Sequence, residues 1–150
     1  MERFDTLEKA LALFEQAGCK GTENDCFVAF KDTAHAQSGF VGGMTYPYDG
    51  LLVNRTEKGL ALIYLKYKKA LFLKADVSNF DIREDPCQFI PYSEIQEITV
   101  KNSALLNKKN KRVIVKTADK KKHCLLVSVD EPKLPYHNDG FARFMAAYSK

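Results

Sequence analysis

The stretch Leu51-Leu52-Val53-Asn54-Arg55-Thr56-Glu57-Lys58-Gly59-Leu60-Ala61-Leu62-Ile63-Tyr64-Leu65 decides the fold. Two apolar, β-prone runs flank a polar segment that closes on Gly59, the pattern of an antiparallel hairpin with a bulge. The rhythm continues outward from there. Upstream, Cys26-Phe27-Val28-Ala29-Phe30 reads as a strand, with residues 40–46 as its partner across a turn region and Pro47, Asp49 and Gly50 as the next break. Downstream, residues 70–74, 88–92, 95–101, 112–117 and 123–129 are short and β-prone, and the breaks between them hold Asp, Asn, Pro or Lys. No helical pattern separates these segments, so they predict an antiparallel sheet folded on itself rather than a parallel one.

Helical periodicity is confined to the two ends. Near the start, Asp5-Thr6-Leu7-Glu8 offers an N-cap, and Leu7, Ala10, Leu11, Phe14 and Ala17 repeat at helical spacing until Gly18. Near the end, Asn138 or Asp139 can cap a helix with Phe141, Phe144, Met145 and Tyr148 on one face. Together these predict one mainly-β (α+β) domain over residues 1–150. It comprises an N-terminal helix within 1–18, an antiparallel β-barrel or sandwich of about seven strands over 26–129, and a capping helix over 138–149.

Composition bounds the function. With 150 residues, 45% hydrophobic and 28% charged, the chain can bury a sizeable core and falls outside the disordered and low-complexity classes. Its longest apolar run, Leu60 to Leu65, is far too short to cross a bilayer, and Met1-Glu2-Arg3-Phe4-Asp5 does not begin a secretory signal. A cytoplasmic location is therefore expected. Cys19, Cys26, Cys87 and Cys124 are too scattered for a disulfide framework and read as free thiols. The polar residues between Cys19 and Cys26 make that spacing unlike a zinc knuckle, so neither metal nor cofactor is expected.

In order and spacing, Gly50-Leu51-Leu52-Val53, then Gly59-Leu60-Ala61-Leu62-Ile63-Tyr64, then Phe89-Ile90-Pro91-Tyr92-Ser93-Glu94-Ile95-Gln96-Glu97-Ile98-Thr99-Val100 resemble the bacterial PH-like and GRAM-like domains of the pleckstrin-homology-like superfold. Arg112-Val113-Ile114-Val115-Lys116-Thr117 followed by Lys120 to Lys122 is similar to their closing hairpin. The resemblance covers roughly Cys26 to Tyr148 and implies a non-enzymatic binding or scaffolding module for lipid, peptide or protein. Lipid-binding members grip inositol phosphates with a Lys followed by a second basic group on the first hairpin. Here Lys31 is followed by Asp32-Thr33-Ala34-His35-Ala36-Gln37-Ser38 and the second group is missing.

Charge supplies the candidate contacts. Between residues 101 and 123 stand nine cations, Lys101, Lys108, Lys109, Lys111, Arg112, Lys116, Lys120, Lys121 and Lys122, against the single acid Asp119. The Lys108, Lys109, Lys111, Arg112, Lys120, Lys121 and Lys122 subset is the candidate contact for an anionic ligand or a membrane surface. The stretch holds no Phe or Tyr, which argues against single-stranded nucleic acid. From residues 76 to 97 the sign reverses, so the molecule is expected to be electrically two-sided. Catalysis by His123-Cys124 is disfavoured because successive strand residues point to opposite faces. The expected function is thus protein or peptide binding through a sheet edge or the groove beside the final helix, with peripheral attachment to anionic membranes as the alternative.

Overall fold

The computed structural model describes residues 1–32, 48–68, 76–83, 87–104 and 107–148. Within these, the strands are β1 (Asn24–Lys31), β2 (Gly50–Thr56), β3 (Gly59–Tyr67), β4 (Phe80–Ile82), β5 (Gln88–Pro91), β6 (Ile95–Ala104), β7 (Asn107–Thr117) and β8 (Lys122–Ser128). The helices are α1 (Leu7–Gln16) and α2 (His137–Tyr148). The strands expected at 40–46 and 70–74 lie outside the described residues.

All strand pairs are antiparallel, in the order β4-β3-β2-β1-β8-β7-β6. β5 shares an edge of β3 with β4: Leu65 to Tyr67 pair with β4, and Gly59 to Leu62 pair with β5. The expected barrel of about seven strands is therefore corrected to an open sheet of eight. The reason lies at residues 92–94, where a single 3-10 turn passes the chain from β5 to β6. β5 is paired to β3 and β6 to β7, and among the described residues no ladder joins the two ends of the sheet.

The alternation of strand side chains builds two apolar layers. On one face Cys26, Val28, Leu52, Ala61, Ile63 and Leu65 pack with Ala10 and Phe14 of α1. On the other, Phe27, Ala29, Leu51 and Val53 join Val113, Val115, Leu125 and Val127 from the far half of the sheet, with Phe141 and Phe144 of α2. One cluster shared by both halves means that the sheet curves around α2. The Phe27 ring lies 5.1 Å from Phe141 and 4.9 Å from Phe144, within the range of tilted aromatic pairs. Gly140 lets α2 come this close, because a Cβ there would stand 2.0 Å from the Cys26 carbonyl oxygen.

Local chemistry sets the ends of these elements. Thr6, not Asp5, caps α1, accepting the Lys9 amide on Oγ1 at 3.2 Å, while Asp5 pairs with the Lys9 ammonium at 2.9 Å. α1 stops where Gly18 takes the left-handed conformation, φ +73°. The β2–β3 hairpin turns at Glu57-Lys58, and Thr56 Oγ1 accepts the amides of Lys58 and Gly59 at 3.1 and 3.2 Å. Gly59 is required there by β5, since a Cβ would meet the Ile90 carbonyl oxygen at 2.2 Å. α2 begins at His137, one residue before the expected start, and Asn138 accepts the Glu131 amide at 2.7 Å, bracing the connector instead of capping the helix.

Candidate functional site

The open seam between the two ends of the sheet holds a cleft. It encloses about 380 Å³, and its lining includes Gln88 and Ile90 of β5, Glu94, Thr117, Lys121 and His123. The β7–β8 turn forms one lip: Thr117 donates to Asp119, whose carboxylate also accepts the Lys121 amide at 3.2 Å. Behind that lip the Ala118 amide donates to the Glu94 carbonyl at 2.8 Å, fastening the start of β6 to the end of β7. Such a volume lies within the usual range of ligand pockets.

Behind its His123 wall lies a polar and aromatic cluster. His123 is 2% exposed, and its Nδ1 lies 2.7 Å from the Tyr48 hydroxyl. The Tyr48 ring stands 5.2 Å from that of Tyr64, whose hydroxyl donates to Gln88 Oε1 at 2.9 Å. The Lys31 ammonium lies 6.0 Å from the centroid of the Tyr48 ring. Burial, aided by the nearby Lys121 charge, pushes His123 down to about 4, so the imidazole is neutral at physiological pH. Glu94, Asp119 and Lys121 place ionic groups around the cleft, and Lys121 lies 3.7 Å from Asp119. Uncharged polar atoms deep inside and ionic groups at the lip suit a ligand with both apolar and hydrogen-bonding parts.

A second cleft, of about 460 Å³, lies beside the C-terminal end of α2, and Asp25, Arg55, Tyr92 and Tyr148 are among its lining residues. Here several polar groups already serve one another, although the buried Arg55 Nε has no hydrogen-bond partner among the described residues. Asp25 receives Arg55 at 3.0 Å and Arg143 at 2.5 Å, and the Arg55 guanidinium sits 5.4 Å from the Tyr148 centroid. Tyr92 donates its hydroxyl to the Thr56 carbonyl at 2.5 Å. The groove beside the final helix is thus built as a clasp between α2 and the sheet.

The basic residues divide between the two ends of β7. Lys109 and Lys111 are at one end, and the Lys120 to Lys122 turn is at the other, separated by about 20 Å of strand. Arg112 points to the face opposite Lys111 and pairs with Asp32 at 2.8 Å, the two side chains being 15% and 4% exposed. Lys111 donates to Asn102 Oδ1 at 2.5 Å, and Lys122 stands opposite Lys116 in the β7–β8 register. Lys120 occupies the left-handed position of the turn, φ 66°. The Lys108 side chain and His35 lie outside the described residues. The acidic stretch is partly compensated in the same way, Asp76 by Lys133 at 2.7 Å and Glu97 by Lys116 at 3.6 Å.

His123 and Cys124 diverge as strand geometry requires: Cys124 packs with Ile114, whereas His123 sits at the cleft on the other face. Burial holds the Cys26 thiol up at about 12 and also raises that of Cys124, the opposite of an activated nucleophile. Among the described residues no cluster of three or more His, Cys, Asp or Glu side chains is placed to hold a metal ion, and no helix is long and apolar enough to cross a membrane. His137, which in the sequence stands in a polar loop, is buried. It accepts the Val28 amide on Nδ1 at 3.0 Å and donates from Nε2 to the Ser128 carbonyl at 2.7 Å. It thereby stitches β1 to β8 beyond Phe30 and Lys31, which pair with Leu126 and Leu125. The Tyr48–His123 pair escaped sequence reading because its members are 75 positions apart and no motif joins them.

Comparison of the chain with protein-family models, with curated proteins and with solved structures finds no match.

Proposed function

We propose that this protein is a non-enzymatic binding or scaffolding module that docks a segment of a protein or peptide in the seam cleft between β5 and the β7–β8 turn. The observation that carries the reading is the cleft itself, an opening of about 380 Å³ where the sheet fails to close. Among the described residues β6 pairs only with β7, and its other edge is the less suitable surface. Charged Glu97 and Lys101 and register irregularities between Ile95 and Glu97 and between Asn102 and Ala104 are devices that discourage strand addition. In the groove beside α2, Asp25 is taken up by Arg55 and Arg143 and the Tyr92 hydroxyl by the Thr56 carbonyl, so we take the seam as the better receptor.

The meander of antiparallel strands ending in one amphipathic helix supports assignment to the PH-like or GRAM-like type, in a cytoplasmic setting. The raised Cys26 and Cys124 thiols and the divergence of His123 from Cys124 support a role without catalysis. Attachment to anionic membranes draws less support, because the cations stand at opposite ends of β7 and Arg112 is neutralised by Asp32.

The test is selection of binders from a random peptide-display library against the immobilised chain, followed by anisotropy titration of the selected peptides. Ala118→Trp, an exposed turn position at the lip, and Glu94→Lys, which reverses the charge there, are the two variants. Each should weaken binding at least about tenfold with an unchanged melting temperature, a loss equivalent to about 1.4 kcal/mol. Failure to enrich any peptide, or peptides indifferent to both variants, would remove the seam as the receptor.

A further inference from the structure

Two exposed groups lining the seam cleft are left unused by the fold. Phe89 of β5 is 36% exposed, and among the described residues the only other large apolar side chain so exposed is Leu7 of α1. Strand alternation accounts for this: Ile90 is buried in the α2-side layer, so its neighbour Phe89 is turned away from that layer. Glu94 ends the 3-10 turn between β5 and β6, is exposed, and enters no ion pair among the described residues. The hydrogen bond from the Ala118 amide to the Glu94 carbonyl, 2.8 Å, seats Glu94 beside the β7–β8 turn.

On that turn the charges are already committed. Asp119 accepts from the Thr117 hydroxyl and from the Lys121 amide, and its carboxylate lies 3.7 Å from the Lys121 ammonium. With His123 neutral, the ionic groups of the lining are Glu94 and Asp119 against Lys121, which leaves one net negative charge. A carboxylate beside a low-dielectric wall attracts a cation more strongly than one on an open surface. An exposed aromatic ring beside it is the kind of anchor on which interface energy concentrates.

We infer that the segment docked in the seam is cationic and amphipathic, setting a Lys or Arg side chain against Glu94 and an apolar side chain on Phe89. This rests on the binding reading above and adds the chemistry of the partner. An acidic segment meets the Glu94 charge unpaired, while Lys121, the one cation of the described lining, is already held by Asp119. A purely apolar segment desolvates Glu94 without compensation.

The experiment sequences the peptides that the full chain enriches from the random library and that Ala118→Trp then releases. They should carry Lys or Arg close to an aromatic or aliphatic residue more often than the unselected library does. Anisotropy titration compares the tightest of them with a counterpart whose Lys or Arg is replaced by Glu, each on the wild-type chain and on Glu94→Lys. The basic peptide should bind Glu94→Lys about tenfold more weakly than wild type, and the acidic counterpart should bind Glu94→Lys the more tightly, a reversal that general destabilisation does not produce. Phe89→Ala should also weaken the basic peptide about tenfold with an unchanged melting temperature. Raising sodium chloride from about 50 to about 500 mM should weaken it further, since the charge contact is exposed. Peptides that Ala118→Trp releases but that lack a cation, or that bind Glu94→Lys as tightly as wild type, overturn the inference and leave the seam as the receptor. Peptides indifferent to Ala118→Trp and Glu94→Lys alike remove both. Self-association of the chain in sedimentation velocity that Glu94→Lys abolishes would put a second copy in the seam and likewise overturn the inference.

Discussion

Lowering the pH from 7 to 5 titrates the buried imidazole at the back of the seam. His123 is held near 4 in the folded chain against an ordinary value of 6.5, so between those values the unfolded chain binds the proton and the folded chain does not. Stability from this group is therefore intact above about pH 6.5 and is lost as pH falls toward 4. The difference in proton binding between the two states amounts to about 2 kcal/mol between pH 7 and pH 5. His137 is also lowered by burial and adds in the same direction, so the wild-type dependence alone does not isolate His123. Comparison with His123→Gln does, because glutamine keeps a hydrogen-bonding group for Tyr48 but does not titrate. The carboxylates of Glu57 and Asp76 lie near 2 and contribute little to the change between pH 7 and 5. Urea unfolding at the two pH values, followed by circular dichroism and tyrosine fluorescence since the chain has no Trp, gives the two differences. The wild type should lose about 2 kcal/mol more than His123→Gln on acidification. Equal losses would mean that His123 is not held neutral by burial, and the account of the inner cleft wall would fail.

Asp32→Ala should cost about 3 kcal/mol because it strands the Arg112 charge, and Asp32→Leu with Arg112→Met should recover most of that loss. A double variant no more stable than the single one in urea would show that the pair does not couple. Gly140→Ala forces a methyl group into the Cys26 carbonyl and should cost at least about 3 kcal/mol; an unchanged unfolding midpoint would refute the α2–β1 approach. Co-sedimentation at low salt should be the same with vesicles of phosphatidylcholine alone and with phosphatidylserine added. Salt-sensitive binding to the anionic vesicles, abolished by Lys109→Glu with Lys111→Glu, would establish the membrane reading in place of the peptide one.

Much of the fold was legible because it depends on local pattern. The Leu51-to-Leu65 hairpin, the strands at Cys26 and beyond residue 88, and the Phe141/Phe144 stripe of α2 all announce themselves through periodicity, turn residues and helix stops. Strand alternation also foretold that His123 and Cys124 would part to opposite faces. β4 was missed because its three residues, Phe80-Asp81-Ile82, are too short to show a period, and only pairing with β3 makes them a strand.

The candidate site was much less legible. The basic run between residues 101 and 123 looks like one patch in the sequence, yet an 11-residue β7 carries its two groups apart and Asp32 neutralises Arg112. The cleft's Gln88, Thr117 and His123 come from three separate strands, and His123 meets Tyr48 across 75 positions. What the sequence alone determined is therefore the kind of elements and their polarity, since side-chain period, caps and turn chemistry act over a few residues. The tertiary structure alone decided that the sheet stays open, where its seam lies and which distant rings face each other. Those outcomes depend on which strand edges pair and how the sheet curves around α2, a balance of long-range contacts that no short stretch of chain encodes.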